Sequence, residues 1–288
     1  IGAYVVGIFT VPVALRPAVF YAAPMNPLIA DIYMPLWLAL LVGGLLAALV
    51  AFLIGTPVLR LRGDYLAVAT LGFSEIIRIV ITNAQTITNG ALGIKDIPPL
   101  NDVRYIFVFT AAIFIFITAL INSSYGRAFK AIREDEIAAE AMGIDLFKHK
   151  CLAFMISAFF AGIGGGRYGA LLGTVDPKNF LFTLTYNFLL IIVLGGMGSI
   201  TGSMIGAILV TAGLEFLRVF DEPLDLFGMS IPLFRPGFRM VIFSVLLMVL
   251  VLFWRHGIMG TREFTWDKFI AFCKNPFSFF GRKGARKA

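Results

Sequence analysis

Residues 125–143 read YGRAFKAIREDEIAAEAMG. The stretch is charged and helix-prone, and it lies between two strongly apolar runs, Tyr105–Ile121 and Cys151–Leu172. Helices packed in a bundle are usually joined by short connections of about 2–8 residues. A helical insert of this length, closed by Gly143 and followed by a new apolar run, reads as a part built to contact something outside the membrane. If the flanking runs are spans, the fold is an all-α, polytopic transmembrane helix bundle.

The composition supports that class. The chain is 59% hydrophobic and 14% charged, with a mean hydropathy of +0.90. Soluble domains carry roughly 45–50% apolar and about 25% charged residues. The net charge of +7 does not point to nucleic acid, because eight of the 24 Lys and Arg fall between Arg255 and Lys287. Basic tails beside spans reflect the positive-inside rule and contact with anionic lipid. Cys151 and Cys273 read as small apolar fillers with no disulfide. The chain starts at Ile1 within an apolar stretch and shows no signal peptide, so an absent N-terminal region is expected.

A helix crosses the bilayer with about 20 apolar residues. The candidates, about eight by this criterion, are Gly2–Phe20, Pro35–Leu59, Tyr65–Asn83, Tyr105–Ile121, Cys151–Leu172, Phe180–Leu194, Gly202–Val219 and Arg239–Trp254. The first carries Pro12, Arg16 and Pro17, the third Glu75 and Arg78, and the sixth is short. Broken spans are tolerated where protein or a water-filled cavity covers the freed backbone. Arg127, Lys130, Arg133, Lys148 and Lys150 place the insert inside, and the basic tail agrees, since an even number of spans separates them. Loops 21–34, 84–104, 173–179 and 220–238 are then outside, rich in turn residues. They fit either a docking rim for an external partner or plain caps on the bundle. The expected organisation is a transmembrane helical domain over 1–260, with the insert at 125–148, and a basic, aromatic cytoplasmic tail over 261–288.

Within the insert, Glu134, Asp135 and Glu136 suit the N-terminus of a second short helix, where the macrodipole favours negative charge. Ala138 and Met142 are four apart on one face, with Ala139 and Ala141 beside it. Small residues there let a partner backbone approach, and Gly143 suits a left-handed helix cap. The alternative is an amphipathic segment lying on lipid headgroups.

In the third run, Glu75 and Arg78 are three apart and share a helix face. Ionisable groups inside a span usually face a bundle interior or a pathway. Tyr65, Thr70, Phe73 and Ser74 accompany them. Glycine recurs every four residues at Gly198, Gly202 and Gly206, and again at Gly162 and Gly166, which reads as close helix packing. Arg167 lies among these glycines with no partner evident. Gly195-Gly196-Met197-Gly198 lacks the Lys-Ser or Lys-Thr of a phosphate loop, and His149 and His256 have no metal-ligand spacing, so neither ATP hydrolysis nor metal binding is expected of this chain. Phe264–Phe280 mixes aromatics with Lys268 and Lys274, as does a segment lying in the inner interface.

Residues 126–144 followed by LAFMISAFFAGIGG at 152–165 resemble the cytoplasmic loop and next span of branched-chain amino acid ABC permeases, the M-type subunit above all. RLRGDYLAVATLGFSEIIRIV (60–80), TNGALGIKDIP (88–98) and LGGMGSITGSMIGA (194–207) are similar to further stretches of that family, in the same order. The resemblance implies ATP-driven alternating access, with no catalytic residues here and with ATP and Mg bound by two partner ATPases. It also implies a second homologous permease subunit, an external solute-binding protein and a bacterial or archaeal cytoplasmic membrane. Coupling to the ATPases then falls to Arg127, Arg133, Glu134, Asp135, Glu136, Ala138, Ala139, Met142 and Gly143. Tyr65, Thr70, Phe73, Ser74, Glu75 and Arg78 would border the route. Glu140-Ala141-Met142-Gly143 compresses the general loop pattern of ABC importers. The implied solute is leucine, isoleucine, valine or another neutral amino acid, and related permeases carry urea or short amides. A transporter driven by an ion gradient, or a passive channel, is the alternative of another class.

Overall fold

The structure is a computed structural model. It describes residues 1–217 apart from 22, 62, 100, 101 and 182, and beyond them only 225–226, 229–230, 244–245, 248 and 257–260. Arg62, Arg218, His256, Cys273 and the tail 261–288 therefore lie outside the described residues, as does most of 220–254. The chain divides into two compact units, Ile1–Phe182 and Thr183–Ala288.

The described part of the first unit is mainly helical. Its helices are α1 (Gly2–Thr10), α2 (Arg16–Val19), α3 (Pro27–Ala30), α4 (Leu36–Val58), α5 (Asp64–Asn83), α6 (Gln85–Thr88), α7 (Val103–Asn122), α8 (Ser124–Glu134), α9 (Glu136–Ala141) and α10 (Leu146–Leu172). Four of them, α4, α5, α7 and α10, are long and apolar enough to cross a membrane. A fifth span results if α1 and Val13–Val19 are taken together, with a bend of 95° between them. The break has a direct cause. Pro12 has no N–H to continue the helix of α1, whose last turn ends on extended Val11. Helix α10 starts at Leu146 rather than Cys151, because Phe147 to Lys150 continue the helix past the apolar run.

Helix α1 is buried where α4 and α10 cross, and glycine makes that crossing possible. A Cβ at Gly162 would stand 2.7 Å from the Ala47 Cβ and 3.0 Å from the Gly43 oxygen. One at Gly166 would stand 2.7 Å from a Val6 methyl. Backbones so close gain dispersion contacts that lipid cannot supply. Val6, Ala39, Leu40 and Ile163 fill the space beside them.

Residues 84–97 fold into the core of this unit through their apolar side chains. Ile94 and Ile97 are fully buried with Val11, Ala170 and Val175. Ile94 pairs antiparallel with Val175, its N–H donating over 2.9 Å and its carbonyl accepting over 2.8 Å. Asn89 adopts the left-handed conformation, and its amide donates to the carbonyls of Val19 (3.0 Å) and Gly93 (2.7 Å). Gly93 has φ +69, and a Cβ there would lie 2.3 Å from the Val175 oxygen. This segment is a cap on the bundle.

The second unit contains α11 (Thr183–Gly195), α12 (Ile200–Phe216) and a two-residue antiparallel pair, β1 (Asp225–Leu226) with β2 (Met229–Ser230). With 13 and 17 residues, α11 and α12 are shorter than a straight crossing of about 20. Their backbones meet at glycine, where a Cβ at Gly202 would lie 2.3 Å from the Gly195 oxygen and one at Gly206 would lie 2.7 Å from the Ile191 oxygen. Gly198 departs from the expected four-residue helical repeat. It stands in the turn before α12 with φ +115, and Ser199 caps the helix by accepting from the Gly202 N–H.

Candidate functional site

The insert forms a helical hairpin. Ser123 caps α8, accepting from the Gly126 N–H, and Ile132 is buried beneath the helix. Arg127 and Arg133 are exposed; Arg127 donates to Ser124 (2.8 Å) and Arg133 pairs with Glu134 (2.6 Å). Of the three acidic residues, Glu134 ends α8 instead of opening the next helix. Asp135 is extended and is the N-cap of α9, accepting from the N–H groups of Ile137 (2.8 Å) and Ala138 (3.0 Å). An Asp side chain at this position satisfies donors that the first turn leaves free. Glu136 pairs with Lys150 of α10 (2.7 Å), tying the short helix to the long one.

Helix α9 ends in a full Schellman motif. Gly143 has φ +81, its N–H donates to Glu140 (2.9 Å), and the Ile144 N–H donates to Ala139 (3.1 Å). The hairpin thus holds a fixed face outward. Ile137 and Met142 are each 82% exposed, and Ala138 and Ala141 lie exposed with them. Ala139, expected beside that face, is turned inward and is only 3% exposed, because it sits on the side of α9 that packs against its neighbours. Between α8 and α9 runs a groove of about 510 Å³, bordered by Arg127, Ala131, Glu134, Asp135, Ala138 and Met142. Asp145 caps α10 by accepting from the Lys148 N–H, and it pairs with the Lys148 ammonium (3.0 Å). These two bonds hold its carboxyl below the usual carboxylate range.

Helix α5 is organised differently. No residue in its spanning window is buried, and its packing is with α4, α6 and the turns at Gly90–Leu92 and Pro177–Phe180. Arg78 Nε donates to both oxygens of Glu75 (2.9 and 3.0 Å), so the two charges neutralise each other on one face. Thr70 and Ser74 turn their hydroxyls back to the carbonyls of Ala67 and Leu71. Tyr65 is 78% exposed, and Phe73 is half-buried.

Two arginines interrupt the apolar runs, Arg16 and Arg167, and the second also stood as a coupling-site candidate for a gradient-driven transporter. Arg16 is 3% exposed and binds four carbonyls: Val11 through Nε (3.1 Å), Ile29 (3.0 Å) and Ala30 through Nη1, and Ile32 through Nη2 (2.6 Å). It gathers the backbone freed by the broken first span and by α3. The signal was present as an arginine between prolines in an apolar run. Arg167 of α10 donates to Thr110 of α7 (3.2 Å) and lies over the Phe109 ring at 5.1 Å. Its Nη2 is buried without a partner. Beside it an apolar cleft of about 630 Å³ opens between α4, α7 and α10, lined by Trp37, Phe109, Phe116, Met155, Phe160 and Ile163 among others. Among the described residues, no three His, Cys, Asp or Glu side chains gather as a metal site would require.

The chain is similar to high-affinity branched-chain amino acid transport system permease protein LivM of Escherichia coli K12, with 38% identity over 220 residues, 65% of this chain and 52% of that one. A probable LivM of Methanocaldococcus jannaschii is 27% identical over 73% of this chain and 65% of its own. The guanosine ABC transporter permease protein NupQ of Bacillus subtilis is 26% identical over 79% and 74%. The chain spans about half the length of the LivM proteins it matches at 38% identity. No solved structure matches. A family model described as "Branched-chain amino acid transport system / permease component" matches residues 1–252, and by that extent the chain belongs to this family of transport permeases.

Proposed function

We propose that this chain is the M-type permease subunit of a binding-protein-dependent ABC importer for branched-chain or other neutral amino acids. In this reading it crosses a bacterial or archaeal cytoplasmic membrane about eight times, with α8, α9 and the C-terminus inside. A second homologous permease completes the pathway, a solute-binding protein delivers from outside, and two ATPases hold and hydrolyse ATP with Mg. This chain itself hydrolyses nothing.

The observation that carries the reading is the α8–α9 hairpin. Ile137 and Met142 stand exposed on a short helix whose two ends are both locked by hydrogen bonds. Exposed apolar groups on a rigid, charged insert mark a contact surface. The Glu136–Lys150 pair makes α9 and α10 move together. An ATPase that binds this face better in one state shifts the bundle toward that state, which is all that coupling requires. The Glu75–Arg78 pair and its neighbours Tyr65, Thr70, Phe73 and Ser74 border the route where α5 meets the second permease. Similarity to LivM favours branched-chain solutes, and similarity to a guanosine permease supplies the competitor to test.

The test is purification of the tagged chain from native membranes, followed by ATP-driven uptake in proteoliposomes with the binding protein. Two ATPases and a second permease should co-purify, and leucine should accumulate at the expense of ATP. Recovery of the chain alone, or uptake that follows an ion gradient, would overturn the importer. Uptake of guanosine without leucine would keep the importer and replace its solute.

A further inference from the structure

An unpaired cation within a spanning helix is costly, and such residues usually mark a site. Arg167 lies in the apolar part of α10, about a turn and a half before its end at Leu172. Among the described residues no carboxylate pairs with it, and its only hydrogen bond is to the neutral Thr110 hydroxyl. Its Nη2 is buried and makes no bond. It is one helical turn beyond Ile163, and it stacks on Phe109; both line the apolar cleft. Trp37, also in the lining, meets Phe109 at 5.7 Å and Tyr105 at 5.9 Å between ring centroids, so the cation's end of the cleft is aromatic. A site built this way is complementary to a small molecule with one carboxylate and an apolar body. The guanidinium fork receives the carboxylate, the cleft covers the body, and an aromatic face accepts an adjacent ammonium.

We propose that Arg167 binds the carboxylate of the transported solute, whose apolar side chain lies in the cleft between α4, α7 and α10. This inference rests on the importer reading and assigns its solute-contacting charge to α10 instead of to the self-neutralised Glu75–Arg78 pair of α5.

The experiment uses the complete importer with Ile113→Cys as a reporter in the cleft wall. Maleimide labelling of that cysteine is timed with leucine, with leucinamide, which lacks the carboxylate, or with neither. A hydrogen-bonded charge pair of this kind is worth about tenfold in affinity. Leucine should therefore protect at concentrations about tenfold lower than leucinamide does. Arg167→Gln should abolish that difference, and Arg167→Lys should retain part of it. Equal protection by the two solutes, protection by leucine undiminished in Arg167→Gln, or no protection by either would each overturn the proposal. A merely structural arginine would weaken both solutes together and leave their ratio unchanged, which also counts against it. ATP-driven leucine uptake by the complex with Ile113 unchanged separates the two claims. Uptake without carboxylate-dependent protection removes the role of Arg167 and leaves the importer standing, whereas absence of uptake removes the importer.

Discussion

Loop 84–97 and insert 124–145 are both irregular interruptions between apolar helices, and both carry glycine, charge and exposed-looking isoleucine. They fold to opposite ends. In the first, Ile94 and Ile97 are wholly buried, Asn89 is spent on two carbonyls, and Gly93 fits against Val175 with no room for a side chain. In the second, the polar groups of the backbone are equally well satisfied, yet Ile137 and Met142 are left in the open. The lesson is that hydrogen-bond satisfaction marks rigidity in both, while the fate of the apolar side chains separates a structural cap from a contact surface.

That contrast is open to attack by substitution. The largest effect is expected at Gly93→Val, which places a side chain at positive φ and against the Val175 carbonyl. It should cost about 3 kcal/mol or more and abolish a cooperative thermal transition in detergent. Arg16→Met should come next. It leaves the carbonyls of Val11, Ile29, Ala30 and Ile32 without their donor, at a cost of about 3 kcal/mol, read as a fall in Tm. On the insert the expectation reverses. Ile137→Asp and Met142→Asp should leave stability within about 0.5 kcal/mol, while ATPase recovered with the chain drops about tenfold. A Tm loss there equal to that of the cap variants would erase the distinction.

The smallest effect concerns pH at the junction of insert and span. The folded Asp145 carboxyl titrates below its unfolded counterpart. Its contribution is therefore complete above the usual carboxylate range and fades as pH falls through the lowered value. Asp145→Asn should remove this acid-side component of the melting profile and lower Tm slightly at neutral pH, where the contribution of the carboxylate is complete.

The long spans were legible because apolar run length answers directly to bilayer thickness. Pro35–Leu59, Tyr65–Asn83 and Tyr105–Ile121 match α4, α5 and α7 within two residues at either end. The start of α10 was missed by five residues, since apolarity reports where a helix meets lipid and not where its hydrogen bonds begin. Asp135, Glu136 and Gly143 were legible as a helix start and stop, because capping is a local property of neighbouring residues. Arg16 and Asn89 were not, because their partners are donated by segments 13–16 and 70 residues away.

The sequence alone determined the membrane class, the principal long helices, the charged insert and the order of motifs that ties the chain to its permease family. All of these depend on composition, run length or contacts within a turn. Only the tertiary structure decided that the first span bends by 95°, that loop 84–97 is core, and that Arg167 stacks on Phe109 at the edge of an apolar cleft with no counter-charge among the described residues. Each of those outcomes depends on groups far apart in the chain, whose meeting is fixed by glycine-to-glycine packing of α1, α4 and α10 and by the need to satisfy buried polar atoms.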